Sequence, residues 1–332
     1  MSNLYKSVVA LLMVLMTMSC NDEWTDELYK ELISFKAPLN EQGVSPIYLR
    51  YDADGIREYD LPVIVSGSRT NDREISVKIG VDNDTLGIMN NERFQYRTDL
   101  YYKQLPVDFY EFPSSTCVVP AGSNTAIHKV RFKFENLDLV DKWVLPLTIL
   151  HDPSYETNNR KGWRKALLHV IPFNNYSGKY SSTAMNVNFL NDNKNMVMST
   201  RNTWVVDENA VFFYAGMIEE EAEDRGIYKI IMRFGEGLEQ EDGSIRGSLK
   251  LETTTPAINF VVKGQPTYHI RKAADLTLPY LVREYCTVTM EYEYSDITSI
   301  PNFPIRYVAK GSMTLERQRN TTIPDEDQAI QW

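Results

Sequence analysis

Few residues in this 332-residue chain are placed to do covalent chemistry, and the clearest is Cys20. Lys6 precedes an apolar run from Val8 to Met16, followed by Thr17-Met18-Ser19, while Asn21-Asp22-Glu23 beyond the cysteine is polar and acidic. A basic start, a short apolar core and a small residue before a cut point describe a secretory signal peptide. The run is about half the roughly 20 residues that cross a bilayer as a helix. A cysteine at the cut is the acceptor for acylation in a bacterial lipoprotein, although Thr17 stands where leucine is usual. The reading is a signal peptide over 1–19, lipid attachment at Cys20 and a tether over 20–27; the plainer alternative is a secreted protein with an incidental cysteine. Acyl chains contribute about 0.8 kcal/mol per buried methylene, so several together anchor durably.

Catalytic constellations are missing. His128, His151, His169 and His269 fall on separate strand-like runs without metal-ligand spacing, and read as surface or edge residues. There is no nucleophile elbow, phosphate loop or dinucleotide fingerprint. Carboxylates are plentiful, 45 in all, but nothing nominates an acid–base pair. Glu219-Glu220-Glu221-Ala222-Glu223-Asp224 reads as a solvated loop and lacks the alternating spacing of a calcium loop. No cofactor, metal or enzymatic activity is expected.

The aromatic content points elsewhere. Twenty tyrosines and five tryptophans exceed what two cores need, because a buried hydroxyl or indole N–H must find a partner. Such rings favour half-exposed places, where the C–H face of a sugar lies flat on them and its hydroxyls reach neighbouring polar groups. The glycan-binding candidates are Trp163 in a basic turn, Trp204 after a polar segment, Tyr280 in Leu278-Pro279-Tyr280, and Tyr292 and Tyr294 near the end of a strand. For each, packing in a core or between domains is the competing role.

The elements that must position these residues are strands. Val130, Phe132 and Phe134 alternate with Arg131 and Lys133, and 47–51 and 75–79 carry a similar period of two. Asp54-Gly55, Pro120-Ala121-Gly122 and Asp152-Pro153 punctuate the runs. Short strands so spaced form a β-sandwich over 28–172. A polar stretch at 173–178 makes a seam. Strand-like runs at 211–217, 227–234, 245–251, 258–262, 286–294 and 305–315 then meander, with hairpin punctuation at Glu236-Gly237 and Asp242-Gly243. With no helix to cover an open sheet, a closed β-barrel over 173–319 follows. In the strand 285–294, Cys286, Val288, Met290, Tyr292 and Tyr294 share the inward face, which places the last two toward a rim. The polar tail 320–332 is expected to fray. Cys117 and Cys286 allow one disulfide but read more simply as two buried thiols. A net charge of −10 disfavours nucleic acid or an anionic surface as a partner, because both repel an acidic body.

Leu100-Tyr101-Tyr102-Lys103-Gln104-Leu105-Pro106, Val118-Val119-Pro120-Ala121-Gly122 and Lys142-Trp143-Val144-Leu145-Pro146-Leu147 resemble an immunoglobulin-like domain of unknown function found in Bacteroidetes surface lipoproteins. The segment opening at Tyr176-Ser177-Gly178-Lys179-Tyr180 resembles, less strongly, a calycin-like (lipocalin-like) domain. The resemblance implies an all-β lipoprotein of a Sus-like glycan-utilisation locus, anchored in the outer membrane and facing outward. Its implied partners are a polysaccharide or glycoprotein glycan and a Sus-like porin complex. An Asp-x-x-Asp-x-Asp-x-Glu catalytic strand of the chitinase-like relatives is absent. Two further readings stand beside this one: a fimbrial-type structural lipoprotein that polymerises by strand donation, and an unusual hydrolase.

Overall fold

The computed structural model describes residues 29–160, 162–192 and 194–328. Cys20, the leader, the tether and Trp332 lie outside them. The described chain is nearly all β. Its first half is a sandwich of two sheets. One has the order β1 (Ile33–Phe35), β3 (Ile56–Val65), β8 (Thr125–Lys133), β6 (Tyr110–Glu111). The other has the order β2 (Ser45–Arg50), β10 (Lys165–Phe173), β9 (Lys142–Ile149), β4 (Ile75–Val81), β7 (Thr116–Val119), with β5 (Tyr102–Gln104) parallel to β9. Alternation decides which side chains meet: Val130 and Phe132 of β8 face Leu145, Leu147 and Ile149 of β9 in one core that also holds Cys117.

One helix, α1 (Thr85–Phe94), interrupts the sandwich. Its sequence contains Gly87, Asn90 and Asn91, none a strong helix former. Asp82 accounts for it: one carboxylate oxygen accepts from the Asp84 and Thr85 N–H groups, and the other accepts the Thr85 hydroxyl at 2.6 Å.

The second half is a closed eight-stranded antiparallel barrel. Around it run β11 (Gly178–Phe189), β13 (Thr200–Asp207), β14 (Ala210–Tyr214), β15 (Lys229–Glu239), β16 (Ile245–Thr253), β17 (Val261–Ala274), β18 (Leu281–Asp296) and β19 (Ile305–Asn320). β19 closes onto β11 from Tyr180 opposite Leu315 to Phe189 opposite Tyr307, and the short β12 (Met196–Val197) is an extra pairing on β11. The expected hairpin at Glu236-Gly237 is not a turn. β15 runs straight through it with a bulge between Phe234 and Gly237, and the reversal falls at Asp242-Gly243.

β14 is buried along its whole length. Val211 and Phe213 point into the barrel, while Ala210, Phe212 and Tyr214 point outward onto Leu139 and Val140 of the sandwich. The outer face of the barrel therefore supplies the domain interface. The linker between domains is bonded on both sides: Asn174 Nδ2 donates to the Asp207 and Ala210 carbonyls, and Arg317 donates to the Asn174 and Asn175 carbonyls.

The tail expected to fray does not do so over 320–328. Asp325 pairs with Arg50 and Arg319, and Glu326 with Arg57 at 2.8 Å, tying the end of the barrel back to the sandwich. Cys117 and Cys286 are free thiols in different cores. Among the described residues no helix is long and apolar enough to cross a membrane.

Candidate functional site

The five aromatic candidates do not converge. Tyr292 and Tyr294 are 1% and 2% exposed, so the placement at a rim is corrected: they lie on the expected inward face but under a lid. That lid is the β14–β15 loop, whose Gly216 and Met217 N–H groups donate to the two hydroxyls at 3.0 and 3.4 Å. Gly216 has φ +51, and a Cβ there would collide with the Tyr294 hydroxyl, so only glycine lets the loop close. Much of the tyrosine surplus has this explanation. Tyr180 donates to the Tyr176 carbonyl, Tyr228 to Asp296 and Tyr268 to the Gly235 carbonyl, so buried rings fill the barrel while their hydroxyls hold backbone.

Tyr280 is 41% exposed in the β17–β18 loop beside Leu276 and Leu278. Trp163 is 44% exposed at the end of the sandwich, and its carbonyl accepts from the Phe35 N–H at 2.7 Å. Trp204 alone lies among groups with binding chemistry. It stands on the outer face of β13, in a cleft of about 170 Å³ between sandwich and barrel, with Lys142, His169, Asn202, Tyr214, Glu220 and Arg225.

The acidic loop helps to build this cleft, which corrects its reading as wholly solvated. Glu220 turns inward, and its Oε2 accepts from the Trp204 indole N–H at 3.4 Å. Its Oε1 is buried with no hydrogen-bond partner. Burial raises the Glu220 pKa, against opposing pulls from the Arg201 guanidinium, the Trp204 indole and the Asn202 backbone N–H. Arg225 fixes the loop to the sandwich by donating to the Asp99 carbonyl at 3.0 Å and the Val140 carbonyl at 3.3 Å. On the facing wall, burial lowers the pKa of Lys142, whose ammonium lies 5.8 Å from the Tyr102 ring centre. His169 packs edge-on to the same ring at 5.1 Å, and burial brings its pKa down to about 4.

His169 is thus neither an edge residue nor a spare base, and His128 is buried against Phe112 in the sandwich. Neither environment was legible from periodicity, because each depends on a distant ring, Tyr102 over His169 and Phe112 over His128. Glu220, Lys142 and Asn202 carried no signal of their own. Among the described residues, no group of three or more histidine, cysteine or carboxylate side chains could hold a metal ion.

The cleft can therefore offer an aromatic face, a carboxylate acceptor, and an ammonium and an amide as donors. That set suits a neutral polyhydroxy ligand. The volume is below the roughly 300–1,000 Å³ of drug-sized sites, so one sugar ring or a chain end is the scale. A larger groove of about 680 Å³ runs nearby past Glu135, Asp138, Asp207, Lys229 and Arg233. Its two cations are already paired, Lys229 with Asp138 and Arg233 with Asp207 and Glu252.

Residues 24–153 match the model of a domain of unknown function, DUF4973, and residues 164–314 match the model of a C-terminal domain. A Bacteroides ovatus protein of unknown function is 41% identical with a TM-score of 0.80, over 91% of this chain and 100% of that one. A B. ovatus multidomain protein including DUF1735 is also 41% identical, with a TM-score of 0.77, over 90% and 99% of the two chains. A protein described as an auxiliary nutrient binding protein, from Bacteroides thetaiotaomicron, is 32% identical with a TM-score of 0.76, over 92% and 100%. No curated protein matches. A DUF4973 sandwich and a closed barrel, shared nearly end to end with these relatives, place this chain in their family of two-domain Bacteroides proteins.

Proposed function

We propose that this protein is a non-catalytic, lipid-anchored glycan-binding protein of the outer cell surface, serving a Sus-like uptake system. One observation carries the binding role: an indole ring and a carboxylate hydrogen-bonded to it line the same interdomain cleft. The ring of Trp204 would take the C–H face of a terminal sugar, Glu220 would accept from one hydroxyl, and Asn202 and Lys142 would donate to others. The relative described as an auxiliary nutrient binding protein supports a role in nutrient capture. The relatives reported above are nutrient-binding or of unknown function, which supports binding without turnover. Anchoring at Cys20 and delivery of glycan to a porin complex rest on the leader and on the family resemblance. Weak single-site binding would suffice for proteins crowded on a membrane.

The fimbrial alternative needs a cut in the early strands that frees a groove. Arg50 and Arg57, the basic residues available there, lie in β2 and β3 and are held by Asp325 and Glu326. That arrangement favours a fixed fold over a processed one.

A glycan array probed with the unacylated mature chain tests the proposal. Binding should appear on bacterial, plant or mucosal glycans and fall when Glu220→Gln removes the charged acceptor. A dark array at high protein density, or release of reducing ends from a bound glycan, would reject it.

A further inference from the structure

The end of the sandwich away from the barrel carries an apolar surface that the glycan site does not use. β10 starts there at Lys165 and β2 at Ser45, and both strands run from it toward the linker. Two shallow depressions, of about 470 and 370 Å³, adjoin and share Leu39 and Gly162. Three large apolar side chains stand out of them: Trp163, Leu39 (37% exposed) and Ile88 of α1 (57% exposed). Gly162 brings two of them together. Its φ is +81, and a Cβ would sit 3.0 Å from the Leu39 side chain, so the turn that presents Trp163 needs glycine.

Charge around the patch has one dominant sign. Lys36, Arg160, Arg164 and Lys165 line the depressions against the single carboxylate Glu92. Lys165 is engaged with Asp82, while Lys36 and Arg160 are exposed. This local excess of cations contrasts with the net −10 of the whole chain.

The chain also enters the fold here. Ile33 N–H donates to the Glu156 carbonyl and Phe35 N–H to the Trp163 carbonyl, so β1 runs directly to the patch. Tyr29 follows Cys20 by nine positions, so nine chain steps link them. Those steps reach at most about 30 Å when fully extended.

We propose that this pole is a membrane-contact surface, with Trp163, Leu39 and Ile88 seated at the headgroup–acyl boundary of the bilayer to which Cys20 is anchored. The inference rests on the anchored reading given above. Tryptophan favours that boundary, and Lys36 and Arg160 would face anionic headgroups. The acyl anchor supplies the attachment, and the patch sets orientation, holding the barrel and the Trp204 cleft away from the lipid.

The test is flotation of the mature Cys20→Ser chain, which cannot be acylated, with vesicles of phosphatidylethanolamine and phosphatidylglycerol. Weak binding that rises with the phosphatidylglycerol fraction is expected. Trp163→Ser and Ile88→Ser should each lower partitioning by about fivefold or more with an unchanged thermal midpoint. Because Ile88 is exposed on α1, its variant keeps the fold and guards against loss of Trp163 packing. Absence of wild-type binding to every vesicle, or equal binding by both variants, would overturn the proposal. So would loss of glycan binding in Trp163→Ser with vesicle binding retained. The anchored reading fails separately, if the protein recovered from cells lacks acyl mass on Cys20.

Discussion

His169 gives the most quantitative prediction. Its ordinary pKa is 6.5, and burial against Tyr102, reinforced by the Lys142 ammonium, brings it to about 4 in the fold. A base whose folded pKa is depressed contributes stability above its unfolded pKa and loses it as pH falls through the folded one. At pH 5 the unfolded imidazole is almost fully protonated and the folded one only about a tenth so, a difference of about 2 kcal/mol. Well below pH 4 the loss approaches about 3 kcal/mol. Urea unfolding of wild type and His169→Gln, followed by tryptophan fluorescence, isolates this contribution from the carboxylates that also titrate. The wild-type advantage should shrink by about 2 kcal/mol between pH 8 and pH 5. Parallel stability curves, or an imidazole that titrates near 6.5 by NMR in the native protein, would refute the reasoning.

Further outcomes follow from other buried groups. Tyr292→Phe leaves the Gly216 N–H without its acceptor and should cost about 1–3 kcal/mol by thermal or urea unfolding, with glycan affinity unchanged. Burial pushes the thiol of Cys117 up to about 11 and that of Cys286 up to about 12, so neither should react with a thiol reagent at neutral pH until the chain unfolds. Asp325→Ala removes a carboxylate shared by Arg50 and Arg319, and should expose the C-terminal segment to faster amide exchange while lowering stability by only about 1–2 kcal/mol.

The strands were legible where one face is dry and the other wet. Val130 and Phe132 in β8, and Cys286 to Tyr294 in β18, alternate as the sequence indicated. A sheet that must close, because no helix covers it, led to the barrel. What failed to show was everything decided by a distant segment. Parity placed Tyr292 and Tyr294 inward, but their depth depends on a loop some 76 residues earlier that needs Gly216 to fold over them. α1 has weak helical propensity and owes its start to Asp82. The tail is ordered by arginines about 270 residues away. Trp204 was picked out by residue type, yet its setting comes from β14 being apolar on both faces, which brings the sandwich against the barrel. Glu220 looked like one carboxylate in a solvated run, and only the domain contact turns it inward.

The central claim is that the interdomain cleft at Trp204 holds a sugar. Isothermal titration of the best array glycan into wild type, Trp204→Ala and Tyr280→Ala, with thermal midpoints measured alongside, tests it directly. The account predicts that affinity falls at least tenfold in Trp204→Ala, the loss of about 1.4 kcal/mol or more of stacking, and is unchanged in Tyr280→Ala. Full affinity in a folded Trp204→Ala protein, or loss confined to Tyr280→Ala, would contradict it and move the site to the β17–β18 loop.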